Sequence, residues 1–180
     1  MLSLVTLALL SADPVVVVGR FEIVNQDASL APLSRALQSV LEFDLRENGV
    51  AVRTDDDLDS SQWGKIKGAT HLFVATVVKV GSSMSINARV IKQPNIVDGV
   101  VRAKSLVELD PLVLLVLQKT GTPTPPTLKM LKVNEELLLA WGAALDAVHD
   151  GSPEIAKAKV AEVAKKWPTF TPAVERLKQL

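Results

Sequence analysis

Residues 70–109, THLFVATVVKVGSSMSINARVIKQPNIVDGVVRAKSLVEL, constrain this chain more than any other stretch. They read as three strands joined by two tight turns. In the first, Leu72, Val74, Val78 and Val80 fall on one side at period two and Phe73, Ala75 and Val77 on the other. A strand apolar on both sides is expected to be buried on both. Gly81, Ser82 and Ser83 supply a hairpin turn. The next strand alternates, with Met84, Ile86, Ala88 and Val90 against Ser85, Asn87 and Arg89. Pro94, Asn95, Asp98 and Gly99 are expected to form the second turn. The third strand then sets Val101, Ala103, Val107 and Leu109 against Arg102, Lys104 and Glu108. The growing polarity points to a sheet edge, guarded by its basic residues.

Before this meander, VVVV at 15–18 suits a central strand running on into Gly19, Arg20 and Phe21. Ser29 is the expected cap of a helix with Pro32 in its first turn and Leu33, Leu37, Leu41 and Leu45 along one face. Gly49 suits a left-handed end, and Val50, Ala51 and Val52 a short strand. Strand, helix and strand at this spacing predict a parallel crossover. A short helix through Trp63 and Ile66 leads into Thr70. After the meander, Asp110 and Pro111 are the expected N-cap and first turn of a helix over LVLLVLQK that ends at Gly121; its nearly uniform apolar surface requires burial against the sheet or a partner.

The fold class is therefore α/β (α+β): a mixed sheet with a βαβ start and an antiparallel three-stranded meander, followed by a helical hairpin. Residues 1–12, MLSLVTLALLSA, are too short to span a bilayer and resemble the apolar part of a secretory signal. Residues 13–121 form the α/β domain. Residues 122–133 begin with TPTPP, an extended and stiff linker. Residues 134–180 are helical only, with Leu137, Leu138, Trp141, Leu145 and Val148 on a first helix. Ile155, Val160, Val163, Ala164 and Trp167 follow on a second, and Val174, Leu177 and Leu180 point to the core from a third.

Twenty basic and twenty acidic residues cancel. That leaves no electrostatic footprint for nucleic acid or a membrane surface. Without cysteine there is no disulfide, thiolate zinc site or cysteine nucleophile. No catalytic constellation, metal site or cofactor fingerprint is legible. The cluster of Asp55, Asp56, Asp57 and Asp59 lacks the glycine and distal glutamate of a calcium loop, so a solvated acidic turn is the expectation. His71 and His149 are isolated from each other. Gly19 and Arg20 lack any glycine-rich phosphate pattern around them, and the serines at 60–61 and 82–83 lie in turns.

The segments VVVVGRF, LSRALQSVLEFDLRENGVAVRT and KGATHLFVATVVKVGSSMSINARVI together resemble TolB amino-terminal-like and CsgG-like domains of bacterial envelope proteins. The hairpin is the best-fitting part. That resemblance implies a periplasmic or envelope-associated assembly or transport component without catalytic residues, or a cytoplasmic one if residues 1–12 are not a signal. The tail resembles one tetratricopeptide-type hairpin through Ala144, Gly151, Ala156 and Pro168, with Trp141 near the aromatic position.

The expected function is a non-enzymatic, protein-binding scaffold of an envelope complex, with protein partners and the choice between monomer and homo-oligomer left open. Candidate protein-binding residues are Trp141, Trp167, Leu114 and Leu115. The alternative is a small-molecule sensor. Its crevice beyond the strand ends would present Arg20 and Arg53 to an anion.

Overall fold

Four valines at 15–18 form β1 because branched side chains pack well on a pleated surface covered from both sides. The computed structural model describes residues 14–24, 27–53, 66, 68–81, 83–92 and 96–180. The acidic residues 55–59, the signal-like residues 1–12 and Trp63 lie outside them. In chain order, β1 (Val15–Val18) and β2 (Glu22–Ile23) precede α1 (Ala31–Glu47) and β3 (Ala51–Arg53). The meander is β4 (His71–Val80), β5 (Ser83–Lys92) and β6 (Ile96–Ala103). Then come α2 (Asp110–Thr120), α3 (Glu135–His149), α4 (Pro153–Lys166) and α5 (Thr171–Leu177).

The six strands make one mixed sheet of order β3-β1-β4-β5-β6, with β2 paired to β4 off this path. β1 is parallel to β3, as the strand–helix–strand spacing predicts, and it is parallel to β4 as well. The meander is antiparallel. Gly19 ends β1 by donating its amide to the Phe73 carbonyl at 2.8 Å. Only after that does the chain rejoin β4 at Glu22 and Ile23.

One side of the sheet carries Val16, Val18, Phe73, Ala75, Val77, Ile86, Ala88 and Val90. The leucine stripe of α1 (Leu33, Leu37, Leu41, Leu45) seals it and is fully buried. α2 packs on β5 and β6. There Gly99 matters: a Cβ at that position would stand 2.8 Å from Leu115 Cδ1 and 2.7 Å from Lys119 Cε. α3 lies across the outer side of α1, α4 packs on α3, and α5 closes against α4 and α1. Leu137, Leu138, Trp141 and Ala144 of α3 belong to the same buried cluster as the sheet. Residues 122–133 form neither helix nor strand and join the cluster through Leu128, Met130, Leu131 and Val133.

Several sequence expectations are corrected. β6 begins at Ile96, so Asp98 and Gly99 are strand residues, not turn residues. Gly99 serves the approach of α2, and a bulge between Val90 and Ile91 adjusts the register. Val107 and Leu109 lie beyond that strand. Burial of β4 on both sides holds for Leu72 and Val74 but fails toward its end, where Val80 is 70% exposed. There β4 runs past β1, whose pairing stops at Phe73, and past β2, whose pairing stops at Val77. Ser29 does not cap α1. It lies in a 3-10 turn that Asp27 caps, and α1 starts after it with Pro32 near its first position. Asp110 is the first residue of α2 rather than its cap. Ile155 and Leu180 face solvent.

Candidate functional site

The leucine stripe of α1 leaves a polar stripe on the helix's outer flank, Arg35, Ser39, Glu42 and Arg46 at spacings of three and four. α3 and α5 do not cover it completely. They leave a cleft of about 250 Å³ lined by these residues together with Trp141, Leu145, Val148, Pro172, Glu175, Arg176 and Gln179, among others. Trp141 forms part of its inner wall. Its indole N–H donates to Ser39 Oγ at 3.2 Å, the partner that a buried indole requires. Phe170 meets the indole edge-on, with ring centroids 5.5 Å apart.

Ion pairs divide the cations of the cleft. Arg35 Nε lies 2.9 Å from Asp146 Oδ1 and ties α1 to α3. Arg46 pairs with buried Glu42 one turn back, at 3.3 Å. Arg176 differs. One terminal nitrogen donates to Gln179 Oε1 at 3.2 Å, while its Nε–H is buried without a hydrogen-bond partner.

Two further buried groups titrate away from the cleft. Burial pushes the Asp44 carboxyl up to about 7, against the opposing pull of the Leu131 amide, with Glu47 adding to the rise. His71 is held below its ordinary value by burial and then by Lys92, with Asp98 opposing them. Its Nδ1 lies 2.9 Å from Thr70 Oγ1. His71 opens β4 and His149 ends α3, so the fold places them on separate elements. Among the described residues, no group of three or more histidine or acidic side chains could hold a metal ion.

The other side of the sheet carries a second apolar cluster of Val17, Ala69, Leu72, Val74 and Ile91, to which no described helix contributes. Pairing runs Val17, Leu72, Ile91 and Val97 in one row across four strands. The next row is Val74, Arg89 and Val100. Burial fades along these rows, so that Val97 is 54% and Val100 68% exposed on the edge strand.

Of the residues singled out from sequence, Trp141 is buried between α3 and α1, and Leu115 is buried on α2 facing Gly99. Leu114 is 41% exposed. Trp167 is half-buried at the end of α4, with Lys166 Nζ 4.8 Å from its ring centroid. Arg20 follows β1, and Arg53 ends β3 opposite Val17, so both stand at the carboxyl ends of parallel strands. The cleft described above lies elsewhere, among helices. Sequence reasoning missed its arginines because a polar stripe on an amphipathic helix reads as a solvated face.

No protein-family model matches the chain, and no curated protein matches it. Among solved structures it is similar to the PelC dodecamer from Paraburkholderia phytofirmans. The identity is 17%, over 63% of this chain and 90% of that one, with a TM-score of 0.38. A variant PelC dodecamer from the same organism gives 16% identity over 61% and 89%, with a TM-score of 0.39. TolB from Acinetobacter baumannii gives 13% identity over 62% of this chain and 29% of that one, with a TM-score of 0.39. Likenesses this slight carry no conclusion about what the chain does.

Proposed function

We propose that this chain is a non-enzymatic assembly module that docks a protein partner on the side of its sheet to which no described helix contributes. The carrying observation is the apolar row Val17, Leu72, Ile91 and Val97, which ends at exposed Val97 with exposed Val100 beside it on the same strand. Burying a valine fully is worth about 1.5–3 kcal/mol. The two valines therefore anchor an interface without making one alone, since stable interfaces bury roughly 1,200–2,000 Å². The partner accordingly spreads over β4 and β5 as well. Strand addition at β6 fits less well, because the bulge and the charges of Asp98 and Arg102 blunt that edge.

An envelope setting is supported by the resemblance of residues 15–109 to TolB amino-terminal-like and CsgG-like domains. Under that reading the tetratricopeptide-like tail braces α1. Among the described residues no helix is long and apolar enough to cross a membrane.

The test is photo-crosslinking in the native cell from position 100 and, as a control, from position 157 on exposed α4. A discrete adduct from position 100 that V97D abolishes is the expected result. Adducts from position 157 alone, or none from position 100, would reject the sheet as the docking side.

A further inference from the structure

We infer that the cleft between α1, α3 and α5 binds a small organic monocarboxylate, with Arg176 gripping the carboxylate and Leu145 and Val148 flanking the apolar body. Three observations carry this inference. The space, about 250 Å³, has room for some eight waters at roughly 30 Å³ each, the scale of a small ligand. Its lining mixes apolar side chains, Leu145, Val148 and Pro172 among them, with polar ones that include Ser39, Arg176 and Gln179. Finally, Arg176 has no carboxylate partner among the described residues, although the two other arginines that line the cleft have one within the fold.

The guanidinium fork matches a carboxylate with two parallel bonds. Charge narrows the class further. Glu42 and Glu175 also line the cleft, so a dianion such as phosphate would meet repulsion that a monoanion with an apolar body meets less. A neutral analogue of the same shape would fill the space and leave the guanidinium charge unanswered.

This inference is independent of the docking side proposed for the sheet, because the cleft lies on the opposite, helical side. The experiment is calorimetric titration of the full chain with 3-phenylpropionate, 3-phenylpropionamide and inorganic phosphate. The acid is expected to bind at least about tenfold more tightly than the amide, and phosphate more weakly than both. Arg176→Gln should remove that preference, and Val148→Phe, which fills the cleft, should weaken acid and amide alike. Thermal melts of both variants verify folding, and the wild-type comparison stands on its own if either variant fails to fold. Equal binding of acid and amide, tighter binding of phosphate, or no heat with the acid at millimolar concentration would overturn the inference.

Discussion

Asn48 and Lys129 hold each other by a reciprocal pair of hydrogen bonds. The Asn48 amide donates to the Lys129 carbonyl at 2.7 Å, and the Lys129 N–H donates to Asn48 Oδ1 at 3.0 Å. The same Asn48 nitrogen donates to the Asp44 carbonyl at 2.7 Å. One side chain at the end of α1 thus does for the linker what a neighbouring strand would do. The segment after the prolines is thereby fastened to the helix that seals the sheet.

Asn48→Ala should lower stability by about 1–3 kcal/mol, because it leaves backbone groups of the linker unmet. Asn48→Asp should cost more at neutral pH, since a carboxylate cannot donate to the two carbonyls that face it. Urea denaturation of the three proteins gives the order. Limited proteolysis should show faster cutting within residues 122–133 in both variants. Unchanged cutting would mean that the clasp does not hold the linker.

Asp44 fastens the same segment, its Oδ1 accepting the Leu131 N–H at 2.8 Å. Its carboxyl is raised from 3.8 to about 7 by burial. The folded protein therefore holds a proton there that the unfolded chain releases. The stability it contributes is fully present below about pH 4 and falls as pH rises, levelling near pH 7. At about 1.4 kcal/mol per pH unit, the loss is on the order of 4 kcal/mol. Asp44→Asn keeps an acceptor for Leu131 and has nothing to ionise. It should flatten the fall between pH 4 and 7 and raise the melting temperature at pH 8. Parallel pH-dependent slopes in the two proteins would show that Asp44 is ionised without cost.

How much of this was legible follows from the range of each interaction. The leucine stripe of α1, the left-handed Gly49, the helix end at Gly121 and the alternation of β5 are local patterns, and each is found where the sequence places it. Gly99 misled because glycine in a strand and glycine in a turn look alike until α2 is set against it. The cleft was invisible for a similar reason. Arg46 and Arg176 become neighbours of one space only when α5 returns to α1, and nothing near either residue announces the meeting. Buried Glu42 and Asp44 were hidden in the same way, on a helix flank whose covering comes from far along the chain.

The return of the tail rests on one close approach that can be tested directly. A Cβ at Gly142 would stand 1.9 Å from the Pro32 carbonyl oxygen and 2.8 Å from Pro32 Cβ. Glycine inside a helix ordinarily costs about 1 kcal/mol relative to alanine, so Gly142→Ala would stabilise an exposed helix. Here the obstacle is backbone, which cannot swing aside as a flexible side chain can, so α3 must shift away from α1. Overpacking of this kind costs about 1–3 kcal/mol and sometimes more, and the sign of the ordinary effect reverses. Gly121→Ala is the control. Its left-handed φ of +71° strains an alanine by roughly 1–2 kcal/mol, but no atom stands within 4 Å of the new methyl. Denaturant melts should therefore show both variants weakened, while only Gly142→Ala also disturbs the Trp141 environment, read as a changed near-ultraviolet circular dichroism band. A Gly142→Ala protein more stable than the wild type would mean that α3 does not lie on α1.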